Sequence, residues 1–304
     1  MKKIVLGIMI LVSLIAVACS PQATTTGGGA FIGGTEGVIA SFEPFSVKEA
    51  DTYTIFDTED FSIDVVLKNK GEENLPVGKA TVRLLGPPKE SYENIVPANW
   101  ELANSHEVEK ISEFNPGGGE EIVSFTPSTP RAKFKGVVTG FQDVVWNVEY
   151  WYEYKTHLIV NDVCFKGDIT DTKVCEVKEA KTFSVSGAPV TVTSVAEDTA
   201  GKGVVLLKID VKNAGTGDTT TVGQEFDTRF DQIAYTVDEP EKWECKSGGR
   251  ENEARLIDGT AQIICRLKQP LADDELYTKA VRLTFQYVYK DLIQEKLRIK
   301  ESVR

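Results

Sequence analysis

Two stretches of this chain alternate apolar and polar residues and stop on the same turn. Residues 61–71 read FSIDVVLKNKG, and residues 205–215 read VLLKIDVKNAG. Ile63, Val65 and Leu67 match Leu207, Ile209 and Val211 at a constant spacing of 144 residues. An alternation of period two marks a strand with one buried face. Both runs close on Lys-Asn-x-Gly, and Asn and Gly tolerate the positive φ that a tight turn needs. A shorter strand candidate precedes each run, at 39–45 and at 190–195. A second echo follows later. Val148, Tyr150, Tyr152 and Tyr154 alternate with Glu149, Trp151 and Glu153; Leu283, Phe285, Tyr287 and Tyr289 alternate with Thr284, Gln286 and Val288. Each run ends in Tyr-Lys. A one-sided aromatic stripe of this kind reads as a core strand. Terminal hairpin strands are expected after them, at 174–185 and 293–299.

Short strand candidates separated by turns fill the rest, among them a hairpin about Asp258-Gly259. No stretch sustains a period of 3.6; residues 100–113 allow a helical turn or two. The pattern predicts an all-β chain of two immunoglobulin-like β-sandwiches. The first spans 38–185, with long insertions between Gly86 and Gly119. The second spans 190–304, after a linker at 186–189.

Lys2 and Lys3 open the chain, and the run from Ile4 to Ala18 is almost wholly apolar. A basic start, an apolar stretch and small residues make a secretory signal over 1–19. The run is short for a spanning helix, which needs about 20 residues. Its end, LIAVAC, resembles the lipobox of secreted lipoproteins, with Ala16 where Leu is usual and Leu14 two places further back. That resemblance implies lipidation of Cys19, which would become the mature N-terminus; an uncleaved anchor or ordinary cleavage is the alternative. Residues 20–37 read as a flexible Gly/Thr-rich tether. Their glycines lack the Lys, the preceding strand and the following helix of a phosphate loop. Phe31 and Ile32 are the exception, and dock either on the first domain or on the membrane.

Without Cys19, four cysteines remain. An even number in an exported chain suggests disulfides, Cys164 with Cys175 and Cys245 with Cys265. The spacings do not suit zinc. The formal net charge of −12 argues against nucleic-acid partners, which select basic patches. The acidic groups at 57–60, 168–171, 238–239 and 273–275 match no calcium loop and read as solvated turns. Only His106 and His157 are present, and no catalytic motif contains either. Trp146 shares the face of Tyr150, whereas Trp151 points the other way. Trp151 is therefore a candidate contact for a sugar or a protein, if its face is open. Trp243 is expected beside the Cys245 disulfide.

The pattern x-V-x-V-x-N-x-G resembles that of immunoglobulin-like adhesion modules of the CARDB type. Val65, Leu67, Asn69 and Gly71 carry it first, then Ile209, Val211, Asn213 and Gly215. With the lipobox and tether, the chain is similar to uncharacterised archaeal surface lipoproteins. The resemblance is to a class with no function attached; the leading reading is a non-enzymatic, membrane-anchored protein on the outer face of the envelope, without cofactor or metal. It would bind a surface protein or glycan, or act as a spacer. A ligand-binding accessory subunit of a secretion or transport complex, or a hydrolase with an interdomain cleft, are the alternatives.

Overall fold

The computed structural model describes residues 30–170 and 174–303. Cys19 and the glycines at 27–29 lie outside the described residues. The described chain is all-β, with one short 3-10 turn at Lys89–Ser91. Residues 100–113 hold the short strand Glu101–Ala103 in place of the helical turn that their composition allows.

Two long antiparallel strands organise the molecule. The first runs Phe141–Lys166 and the second Leu276–Lys300. They pair from Phe141 opposite Lys300 to Lys166 opposite Leu276, with one irregularity near Val160. At about 3.3 Å per residue, such a ribbon is roughly 85 Å long. One face is mainly apolar: Val144, Trp146, Val148, Tyr150, Tyr152, Tyr154, Leu158 and Val160 are buried, as are their partners from Val281 to Tyr289 and Leu297 to Ile299, with Gln142, Thr156, Asp291 and Glu295 as its polar members.

Two separate layers cover that face. The sheet of strands Val38–Phe42, Asp64–Asn69 and Glu120–Ser124 forms one. A six-stranded sheet centred on Val190–Thr199, Val205–Asn213 and Thr260–Leu267 forms the other. The result is two sandwiches, each with its own second layer, joined by one continuous first layer. The first long strand begins in the first sandwich and ends in the second; the other long strand does the reverse. Residues 293–299, read from sequence as a terminal hairpin strand, are the continuation of the second long strand. Residues 174–185 do not form one strand either. Glu179–Ala180 joins the six-stranded sheet, and Phe183–Val185 pairs with the first long strand.

The repeated motifs meet at the waist between the sandwiches. In the first copy the Gly71 N–H donates to Asn69 Oδ1 at 3.1 Å, Asn69 Nδ2 donates to the Glu73 carbonyl at 2.7 Å, and the Glu73 N–H donates to Tyr154 Oη at 3.2 Å. In the second, the Gly215 N–H donates to Asn213 Oδ1 at 3.2 Å, Asn213 Nδ2 to the Gly217 carbonyl at 2.8 Å, and the Gly217 N–H to Tyr289 Oη at 2.7 Å. A side chain on Gly71 would collide with the Tyr154 hydroxyl, and one on Gly215 with that of Tyr289. The Asn-x-Gly turn and the Tyr that ends each aromatic run are thus two halves of one corner. Tyr152 sits opposite Tyr289, and Tyr154 opposite Tyr287. Since Tyr152 matches Tyr287 and Tyr154 matches Tyr289 in the repeat, an approximate two-fold axis passes through the Glu153–Val288 row.

The expected tether ends sooner than its composition implies. Phe31 stacks on the His157 ring at 6.3 Å. The buried Glu72 carboxylate accepts the N–H groups of Ile32 at 2.9 Å, Gly33 at 2.8 Å and Gly187 at 2.7 Å. Gly37 is buried against Tyr152 and Pro189. Glycine here serves close packing: a buried carboxylate needs donors, and unhindered backbone supplies them. The expected linker at 186–189 is likewise buried.

Candidate functional site

The ribbon's second face is the open one. Trp151 lies on it in one row with Lys290 and Thr81. It is half-buried, and a neighbouring side chain accounts for the cover. The Arg83 guanidinium stacks over the indole at 4.7 Å from its centroid. Arg83 bonds Glu101 at 2.6 Å and approaches Glu149 at 3.7 Å, and Glu149 approaches Lys290 at 3.7 Å. Lys290 in turn lies over the Phe226 ring at 4.3 Å. The candidate contact is therefore no bare aromatic platform. It is the centre of a charged lattice in which each ring carries a cation, as weakly hydrated guanidinium groups favour. A ligand here meets Arg83 and the two carboxylates before it meets the indole.

Towards the free end of the first sandwich, Arg298 makes a bidentate pair with Asp143, at 2.6 and 2.7 Å, and lies over the Phe141 ring at 4.4 Å. The Arg298 hydrogen bonds hold the Asp143 carboxyl below its ordinary range. Exposed Val145 and Leu292 lie further along the same face.

Small clefts lie at the waist. One of about 210 Å³ is bordered by Glu36, Ile39, Tyr150, Tyr289, Thr216 and Asp291. Burial pushes the Tyr150, Tyr152 and Tyr287 hydroxyls well above their ordinary range, so they stay protonated. The hydroxyls of Tyr152 and Tyr287 accept the N–H groups of Val38 at 3.0 Å and Val190 at 3.5 Å. They close the first strand of each second layer. A larger hollow of about 600 Å³ lies at the first sandwich's end, between Val137, Gly140 and Val303.

The acidic turns have local partners. Asp57 is buried and accepts the Ser302 N–H at 3.1 Å. Asp168 accepts the Thr170 N–H at 3.0 Å; Asp171 lies outside the described residues. Glu239 bonds Lys242 at 2.8 Å and Lys279 at 2.6 Å, and Asp273 bonds Lys202 at 2.7 Å. Among the described residues, no group of three or more His, Cys, Asp or Glu could hold a metal ion. His106 is exposed near Glu121. His157 reaches Glu73 at 3.2 Å and Thr284 at 3.3 Å on the open face.

Both disulfides form as the spacing suggests. Cys164 joins Cys175, and Cys245 joins Cys265 between directly paired strands. They fit folding in an oxidising compartment. Trp243 packs edge-on against Phe165 at 6.0 Å. Trp100 joins Trp146 in the first sandwich's aromatic core at 6.1 Å. Sequence reasoning missed Glu72, Glu73 and Arg83. The only available signal for Glu72 and Glu73 was their place just after the Asn-x-Gly turn. No family model matches the chain, and no curated protein matches it. Among the described residues no helix is long and apolar enough to cross a membrane.

Proposed function

We propose that this is a non-enzymatic envelope protein, anchored near its N-terminus and acting as a stiff spacer that presents a binding face. The observation that supports this reading is the shared ribbon. Twenty-four residue pairs run through both sandwiches without a hinge, so the two bodies hold one orientation. A ligand-handling subunit or a hydrolase with an interdomain cleft would need space between the domains. That space holds Tyr152, Tyr154, Tyr287, Tyr289, the 31–37 segment and the 186–189 linker. The Asn-x-Gly corners support a likeness to CARDB-type adhesion modules, and the lipobox-like end supports anchoring through Cys19.

The partner, a surface protein or glycan, is sought by placing a photo-cross-linker at Trp151 or Glu153 on intact cells and identifying the adduct. One saturable adduct at these positions, absent when the probe sits at Ile264, is the expected result. Indiscriminate labelling at all three would defeat the binding reading. Intact-mass measurement of the membrane-extracted chain should show acyl groups on Cys19.

A further inference from the structure

The open face differs from the rest of the surface, and the N-terminal segment enters the body on the same side. We propose that this face lies against an anionic lipid bilayer, so that the molecule rests on its flank. The proposal builds on the anchoring reading alone; it names lipid as the occupant of the open face, so it and a protein or glycan partner at Trp151 exclude each other.

Three observations carry it. The first is the entry point. Phe31 stacks on His157, whose ring belongs to the open face and pairs there with Thr284. Residue 30 therefore leaves the body at the waist, not at a tip. Only ten residues, 20–29, separate it from Cys19. Fully extended, they span at most about 35 Å, against about 85 Å for the ribbon. An anchor on that leash holds the waist, where residue 30 leaves the body, within about 35 Å of the membrane.

The second is the distribution of exposed apolar side chains. Val47, Phe56, Leu85, Phe141, Val145 and Leu292 all lie on this face, within the first sandwich's half. Phe56, Lys300 and Phe141 form one row across three strands. Phe141 is 60% exposed and Val47 75%. Patches of this kind mark a contact surface. Lys296, Arg298 and Lys300 stand among them, and their stems and charged heads suit the boundary between acyl chain and headgroup.

The third is charge. Over the ten rows from Phe141–Lys300 to Ile159–Arg282, the two long strands carry six cations and three carboxylates on this face. The flanking strands add Arg83 and Arg255, with Glu49, Glu101, Asp218 and Glu253. The face is thus near neutral in a chain of net charge −12. An anionic surface repels such a face less than the chain's average surface, which favours this one.

The test uses the purified full chain in vesicles of phosphatidylglycerol and phosphatidylcholine that carry a diazirine-labelled acyl chain. After photolysis, peptide mass spectrometry locates the lipid adducts. Peptides holding Phe56, Phe141, Val145 and Leu292 should be labelled at least tenfold more than those holding Ile122 and Ile257, which are exposed elsewhere. Replacing Phe141→Asp with Leu292→Asp should cut the remaining labelling several-fold without changing the thermal transition. Label confined to residues before Phe31, label spread evenly over the surface, or a protein adduct at these positions on intact cells would each overturn the proposal. If intact mass shows no acyl group on Cys19, the anchoring reading fails by itself. That thiol, the one outside the two disulfides, is then coupled to a maleimide phospholipid, and the orientation is read in the same way.

Discussion

A tyrosine hydroxyl and a glycine hydrogen decide each corner of the waist. Tyr154 donates to Asn69 Oδ1 at 2.9 Å and accepts the Glu73 N–H. Tyr154→Phe leaves both groups short of a partner in a buried place, at a cost of about 1–3 kcal/mol. Tyr289 accepts the Gly217 N–H without the bond to Asn213 that would match that of Tyr154 to Asn69, so Tyr289→Phe is expected to cost less; denaturant titration of both variants checks the difference. Gly71→Ala forces a methyl group into the Tyr154 hydroxyl and should be as damaging or worse, since overpacking alone costs about 1–3 kcal/mol. On the open face, Asp143 offers a pH test. Its folded carboxyl titrates below the ordinary value because Arg298 bonds it. Above the unfolded value, near 4, the contribution is present, and it is lost as pH falls through the lowered folded value. Arg298→Ala should move the Asp143 titration back up, as read by NMR.

The long strands turn the period-two alternation into architecture. Because successive side chains alternate faces, one residue inserted at the waist moves every later side chain to the other face. An Ala placed between Tyr152 and Glu153 should therefore put Leu158 and Val160 on the open face and abolish folding, measured as loss of the cooperative transition. The disulfides act more locally. Removing the Cys245–Cys265 pair, which closes a separation of 20 residues, should cost about 3 kcal/mol by the loop-entropy argument, seen as a lower midpoint in denaturant. The strands, the buried face and both cysteine pairs were legible in the sequence, since alternation and spacing are local properties. The strand continuity was not. Residues 293–299 read as a separate hairpin strand, because nothing local distinguishes a strand that turns back from one that crosses into the next sandwich. The turn at Asp258-Gly259 shows the same limit. Both residues have positive φ, as a tight turn requires, yet the flanking strands diverge into different sheets. Trp151 was correctly placed opposite the core, but its Arg83 cover came from a strand some seventy residues away, beyond any pattern in the sequence. The glycines at 33 and 37 were misread for a related reason. Composition reports what a segment lacks, not that Glu72 will supply its hydrogen bonds.

At the scale of the molecule, two sandwiches share one first layer and a filled waist. Calorimetry is expected to show one transition, not two, because neither sandwich can open without breaking rows that belong to its neighbour. Proteolytic cleavage engineered at 186–189 should leave both fragments together on a sizing column under native conditions; separation would show that the paired ribbon does not hold them. Each half completes its wall with a length of strand encoded in the other half. A gene segment ending near residue 185 would therefore carry a surplus ribbon and lack the piece its own wall requires. Neither repeat is portable, so recombination that shuffles independent modules between proteins could pass this pair on only as a single cassette.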